Sequence, residues 1–455
     1  MTATPVEIST ADPVAARARR VASLRALFVL YLPLAISFEL MMLEGPAFQG
    51  AIGRLPDPPL NLAAWGLTMS LSLLIESPVI LLLATAIALV KDADSFRALR
   101  LFMVRLALGC TILTAAVAFT PLFDVVASGA MGQPAAIVTR ARPAMQVMLL
   151  WTAAIAWRRF YQGVLIRNGQ TRFVTWGTLL RLIAAVATAT LLARAKTVPG
   201  AQVAAWAMMA AVLTEAIATT LFARPILRRD VLSLASPTGE PLLTQHAIWR
   251  FHAPLAATTL LTLLAQPLTS AALARLPNPH DTLAAWPVVY LVLLVLRGWG
   301  LALQEITVAR ARAADEPTPP ATLRDFALLV GGVTSLLTAL IALTPLLDLY
   351  LFRVLDLPAA LVPLVRTGVV AGLLLPLLTA LAAHARGLLV AAGATKVVYQ
   401  AMGVSLGTHV ALLAAGVILG LPGMAVAAGA FTLAAFVEWA FLARAAALSR
   451  PRASA

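Results

Sequence analysis

Between residues 25 and 445 the chain is a succession of apolar runs joined by short polar connections. Each run reaches the roughly 20 residues that a helix needs to cross a bilayer. They fall near 25–53, 61–90, 98–123, 136–166, 172–193, 200–223, 251–275, 283–310, 324–350, 359–388, 396–419 and 422–445. In hydrocarbon a backbone must satisfy its own hydrogen bonds, which leaves helices or closed barrels. These runs are longer than barrel strands and do not alternate, so helices are expected. Charged residues make up only 12% of the 455 positions, about half the share of a water-soluble domain. The expected fold class is an all-α integral membrane protein of about twelve transmembrane helices.

The formal net charge of +14 is spread over the connections rather than gathered in a basic domain, so no nucleic-acid partner is expected. Cys110, the single cysteine, excludes intrachain disulfides and cysteine metal clusters, and no cofactor is expected. One set of connections carries Arg17, Arg19 and Arg20, then Lys91 and Arg97, Arg167 and Arg172, Arg224, Arg228 and Arg229, Arg310 and Arg312, and Arg450 and Arg452. The alternate set carries Arg54, Arg194, Lys196, Arg275 and Arg353. By the positive-inside rule both termini are cytoplasmic, which requires an even helix count, in an inner (plasma) membrane. Residues 1–24 read as a polar tail rather than a cleaved signal, because the following run is too long and lacks a cleavage site.

The two halves repeat each other. Pro33-Leu34-Ala35 matches Pro254-Leu255-Ala256, and Arg54-Leu55-Pro56-Asp57-Pro58 matches Arg275-Leu276-Pro277-Asn278-Pro279, at an offset of 221 residues. Leu62-Ala63-Ala64-Trp65 and Leu283-Ala284-Ala285-Trp286 keep that offset. Thr120-Pro121-Leu122 with Asp124, and Gly163 with Gly169, recur as Thr344-Pro345-Leu346 with Asp348, and Gly387 with Gly393, at an offset of 224. The shift places three extra residues in the first cytoplasmic connection of the second half. The chain therefore divides into a tail 1–24, a six-helix lobe 25–223, a linker 224–250, a second lobe 251–445 and a tail 446–455. An even-numbered unit enters the membrane the same way twice, so the pseudo-two-fold axis runs along the membrane normal, with a cavity between the lobes.

The 6+6 plan, the opening Pro33-Leu34-Ala35, the end Gly50-Ala51-Ile52-Gly53-Arg54-Leu55 and the turn Tyr161-Gln162-Gly163 to Gly169-Gln170-Thr171-Arg172 resemble the MOP flippase superfamily. That superfamily includes the MATE multidrug exporters and the lipid-linked oligosaccharide flippases. Pro33-Leu34-Ala35-Ile36 with Leu43-Glu44 and Gly50-Ala51-Ile52, and Ala64-Trp65-Gly66-Leu67 with Ser70-Leu71 and Pro78, are similar to the first two helices of the progressive ankylosis family. This second resemblance implies export of small organic or phosphate-bearing anions. Where MATE exporters usually carry an aspartate near the end of the first helix, this sequence has Phe48, and Glu44 stands one turn earlier.

A charged side chain at mid-bilayer costs at least about 2.5–3.5 kcal/mol, so each one needs a reason. Four residues are the candidate substrate- or ion-binding set: Glu44, Glu76, Arg297 and Glu39. Glu76 and Arg297 are repeat equivalents near the middle of the second and eighth helices. They read as a latch pair, as an anion site at Arg297 guarded by Glu76, as a static ion pair, or as an arginine that reaches the cytoplasmic interface. Glu44 precedes Pro46, whose missing N–H frees a carbonyl, and reads as a proton or sodium site. Glu39, about a turn and a half earlier, belongs to a different helix face. Glu215 and Glu438 read as helix-packing ion pairs, Arg140 and Arg142 as snorkelling to headgroups, Arg158 and Arg159 as topology anchors, His384 and His409 as packing histidines, and Asp124 and Asp348 as helix caps.

These features point to a secondary active transporter or flippase working by alternating access, monomeric in the lipid bilayer, with a small-molecule substrate. The chain holds no Gly-x-x-x-x-Gly-Lys-Ser/Thr loop, so a proton or sodium gradient is the expected energy source. Small-anion export, cation-coupled drug efflux and lipid-linked substrate flipping stay open. An intramembrane enzyme would need a nucleophile-base or metal constellation that no spacing supplies, and a degenerate partner protein is the remaining alternative.

Overall fold

The computed structural model describes residues 13–232, 243–311 and 318–448. The outermost parts of both expected tails (1–12 and 449–455) and the centre of the linker (233–242) lie outside the described residues. Among the described residues, twelve helical segments form one bundle. α1 is Pro13–Met42 and, after Leu43, Glu44–Gly53. α2 is Pro58–Glu76 resuming as Leu82–Leu89, and α3 is Ala93–Phe119. α4 is Ala135–Val147 joined through a tight turn to Trp151–Arg167, α5 is Thr171–Ala195 and α6 is Gly200–Ile226. In the second half α7 is Gln245–Leu263 with Ala265–Leu273, α8 is Pro279–Leu301 with Leu303–Ala311, and α9 is Pro320–Leu343. α10 is Val362–Ala371 with Leu375–Ala391, α11 is Thr395–Ile418 and α12 is Gly423–Leu448.

Eleven of these segments are long and apolar enough to span a membrane. The other, α4, carries Arg140, Arg142, Arg158, Arg159 and Arg167. Proline sets several of the breaks. Pro46 cannot donate to Met42, and α1 is interrupted at Leu43. Pro78 lies in the break of α2, and Pro376 follows the break of α10.

The duplication is visible in the backbone. Its left-handed residues fall into repeat pairs: Asp57 and Asn278 (φ 52 and 53), Gly132 and Asp356, Gly169 and Gly393, and Lys196 and Gly420. The interval from Ala311 to Pro320 is longer than that from Leu89 to Ala93, where the offset changes. α2 and α8 pack against each other. Gly66 and its equivalent Pro287 meet there, a Cβ on Gly66 falling 2.6 Å from Pro287 Cγ. Equivalent residues that touch lie beside the symmetry axis, so this contact marks the centre of the molecule.

The lobes exchange their first helical halves. Leu27, Tyr31 and Ala35 of α1 are buried in one cluster with Leu303, Phe326 and Ala380 of the second lobe. Tyr31 donates to the Trp299 carbonyl at 2.6 Å. Its equivalent on α7, His252, meets the equivalent carbonyl of Pro78 at 2.7 Å and Thr85 Oγ1 at 2.8 Å.

At the end of the bundle reached by Gly53, the lobes are clasped twice. Arg54 donates to the Val354 carbonyl at 3.0 Å, and its equivalent Arg275 donates to those of Met131 and Ala130 at 2.9 and 2.8 Å. A Cβ at Gly53 would fall on the Leu355 carbonyl oxygen, so the backbones also touch. Asp124 and Asp348 do not cap helices with their side chains. They form the equivalent ion pairs Arg142–Asp124 and Arg366–Asp348, which hold the clasping turns to α4 and α10. Removing both clasps (Arg54→Ala with Arg275→Ala) is expected to open this end. Spin labels at the exposed equivalents Leu122→Cys and Leu346→Cys should then give a longer and broader distance distribution. An unchanged distribution would mean that backbone packing alone closes it.

Candidate functional site

Between the lobes lies a cavity of about 320 Å³. Trp65, Trp151, Trp286 and Tyr290 supply aromatic walls, and Met42, Met69 and Met208 supply adaptable apolar surface. Phe48 lines it as well, edge-on to Trp65 at 6.1 Å. The charges come almost entirely from the first lobe: Glu44 from α1, Glu76 from α2, Arg158 and Arg159 from α4, and Arg181 from α5.

Behind this surface an ionic chain is buried. Arg181 grips Glu44 with two nitrogens, Nε donating to Oε2 at 2.9 Å and Nη2 to Oε1. Such a planar fork fixes both side chains as well as pairing their charges. Arg181 also reaches Glu215 Oε2 at 3.4 Å, and Arg158 Nη1 donates to the same oxygen at 2.7 Å. Gln162 Nε2 donates to Glu215 Oε1 at 2.9 Å. Glu215 is fully buried and Arg158 is 2% exposed. Gly177 of α5 faces α6 beside Glu215, where a Cβ would sit 3.3 Å from Thr219 Cγ2.

Two cavity charges stay outside this chain. Glu76 is buried on α2 with Arg159, Arg158 and Arg181 as its charged neighbours, yet no ion pair among the described residues uses it. Arg159 is half-buried, and its Nε is enclosed without a hydrogen-bond partner. Glu44, Glu76 and Glu215 balance Arg158, Arg159 and Arg181 in number. Of the charged side chains that line the cavity, Glu76 and Arg159 are the two that enter no ion pair among the described residues, while Arg158 Nε and the Trp151 indole N–H are also enclosed without a partner.

The sequence candidates therefore separate. Glu44 and Glu76 line the same cavity. Arg297 lines a different chamber inside the second lobe, and no ion pair joins it to Glu76 among the described residues. Glu39 lies at the seam of α1 and α8 against Gly298, with Oε1 buried and unpartnered, and does not line the cavity. Glu215 and Glu438 are in packing ion pairs, the latter with Arg386. His409 packs on Phe431 with Nε2 at 2.8 Å from Thr269 Oγ1. Among the described residues no group of His, Cys, Asp or Glu side chains is gathered that could hold a metal ion.

Sequence reasoning missed Arg181 and undervalued Arg158 and Arg159. Arg181 is ten residues into an apolar span, so the insertion cost that singled out Glu44 applied to it equally. Arg158 and Arg159 read as anchors because the end of α4 was near. The helix ends at Arg167, one residue beyond the expected 166, so both stand about two turns inside it and their depth was legible from the expected span.

No protein-family profile matches the chain, and no curated protein sequence does. Solved structures do match. An inward-facing multidrug resistance MATE family transporter of the MOP superfamily superposes with a TM-score of 0.67 at 16% identity, covering 92% of this chain and 99% of that one. A MOP superfamily transporter from Pyrococcus furiosus, described as having a binding pocket of reverse polarity, gives 0.62 at 19% identity over 94% and 97%. The lipid II flippase MurJ in an inward closed conformation gives 0.68 at 11% identity over 92% and 87%. The chain is thus an integral multi-pass membrane protein with the fold of the MOP-superfamily transporters.

Proposed function

We propose that the protein is a secondary transporter that carries an organic monoanion together with a proton, by alternating access between its two lobes. One observation carries this reading: the cavity's two uncommitted charges are Arg159 and Glu76. An arginine keeps its charge at any ordinary pH, whereas a carboxylate can take a proton. The charge of the cavity can therefore run from balanced to positive, and not to negative. An anion that pairs with Arg159 while Glu76 is protonated leaves the site neutral, the least costly state for a load that crosses a membrane. A cation would raise the charge of a site that has no group able to compensate it. The aromatic and methionine walls suit an apolar body behind the anionic group. A single spare guanidinium suits one carboxylate or sulfonate better than citrate or pyrophosphate.

The cytoplasmic placement of both termini, from the positive-inside pattern, makes the clasped end the outer face, so this state would load from the cytoplasmic side. Cation-coupled drug efflux is the second reading. The cavity's tryptophans favour it, because indole faces attract organic cations.

The test uses the full chain in proteoliposomes under an imposed pH gradient, with a labelled aromatic sulfonate, which stays charged and crosses lipid poorly. Accumulation of the sulfonate in the direction of proton flow is the expected result. Ethidium exchanged against protons, with no sulfonate flux, would replace this reading with drug efflux.

A further inference from the structure

The second lobe encloses its own chamber of about 170 Å³, bounded by α7, α8, α10, α11 and α12. The aromatic cluster of Trp286, Tyr290 and Phe431 stands between it and the central cavity. Its ionisable side chains at ordinary pH are Arg297, Arg386 and Glu438, with His409 at one edge held by Thr269. Arg386 is committed: it pairs with Glu438 and reaches Gln304 Oε1 at 3.3 Å. Arg297 makes no hydrogen bond or ion pair among the described residues, and its Nε is buried. The chamber therefore holds one uncompensated positive charge.

The repeat shows how this arose. The equivalents of Glu44, Arg158 and Arg181 in the second lobe are Ala265, Ala382 and Ser405, and that of Glu76 is Arg297 itself. The carboxylates that neutralise the first lobe's arginines have been replaced, and a cation has been added. Arg297 is half-buried with its Nε enclosed, and a guanidinium drawn partly out of water without a counter-charge gains from an anion placed beside it.

We propose that this chamber binds a chloride ion against Arg297. The excess is a single charge, which suits a monovalent ion. The donors are few. Thr379 offers its hydroxyl, while that of Ser405 is spent on the Ala434 carbonyl at 3.2 Å. The remaining walls are largely Leu, Ala and Phe. A weakly hydrated halide tolerates such walls, whereas phosphate or sulfate would bring a second charge and more lone pairs than these donors can satisfy. The volume admits the ion with a few waters, at about 30 Å³ each. This inference goes beyond the transport reading and does not depend on it.

The test is thermal unfolding of the full-length protein in detergent, as gluconate is replaced stepwise by chloride at constant ionic strength. A ligand that binds only the folded state raises Tm as it saturates. Tm is expected to climb and level off for wild type and for Glu76→Gln, and to stay flat for Arg297→Gln. Thr379→Val, which keeps Arg297 and leaves no buried donor behind, is expected to shift the chloride midpoint several-fold upward. It serves if Arg297→Gln does not fold. A flat response in wild type, or an equal climb in Arg297→Gln, would overturn the proposal. A climb with formate but not with chloride would overturn the halide assignment.

Discussion

Replacing Glu215 by alanine is expected to cost about 3–5 kcal/mol of stability, because it strips a fully buried carboxylate from two arginines. Arg158 would lose its only ion pair, and Arg181 would keep Glu44 alone. Neither guanidinium can be neutralised by losing its proton. Glu215 is fully buried where α4, α5 and α6 pack together. The measurement is the thermal midpoint of the purified protein in detergent, with Glu438→Ala as the comparison. Glu438 also pairs with an arginine, but its side chain is 14% exposed and that of Arg386 is 23% exposed, so its loss should cost less. Adding Arg158→Leu to Glu215→Ala should recover part of the deficit, since it removes one of the orphaned charges. A loss from Glu215→Ala no larger than that from Glu438→Ala would show that the chain is not what holds the first lobe together.

The second large effect concerns the cavity itself. Arg159→Gln is expected to weaken binding of an aromatic sulfonate by between ten- and a hundredfold. That is the scale of one hydrogen bond to a charged group, about 1.5–3 kcal/mol. Glu76→Gln should act differently. In wild type a proton on Glu76 leaves Arg159 uncompensated, so the affinity for the anion should rise as pH falls. The glutamine mimics the protonated carboxyl. Its affinity should match the acid limit of wild type and should not change with pH. Linkage is reciprocal, so anion binding should in turn draw a proton from the medium in wild type and none in Glu76→Gln. Titration calorimetry in buffers of different ionisation heat reads that proton directly. Equal pH dependence in both proteins would place the coupling proton on another group, Glu39 being the unpartnered carboxylate nearest to the lobe seam.

Much of the architecture was legible in the sequence because bilayer crossing is a local property. The apolar runs are long enough to span as helices, and the missing N–H of Pro46 pointed to the interruption of the first of them, although Pro33, Pro254 and Pro287 lie within unbroken helices. The duplication was legible too, since motifs such as Arg54-Leu55-Pro56-Asp57-Pro58 carry backbone requirements with them. Asp57 and Asn278 do adopt the same left-handed conformation. Two of the five charged residues that line the candidate site, Glu44 and Glu76, were picked out by the cost of placing charge in lipid. The same reasoning passed over Arg181, and it joined Glu76 to Arg297 because symmetry made them equivalents. Equivalence fixes comparable depth in opposite lobes, not contact.

What the sequence determined is therefore the set of helices, their pairing by the repeat, and the presence of charges that must be accommodated. Which charges meet was decided only by the tertiary structure. Arg181 and Glu44 are 137 residues apart, and Arg158 and Glu215 are 57 apart. Hydropathy and proline act within a few turns of one helix, and so can be read along the chain. Pairing depends on the rotation and depth of helices packed side by side, set by small residues such as Gly66 and Gly177 at their contacts, and no periodicity in one helix records the face its neighbour presents.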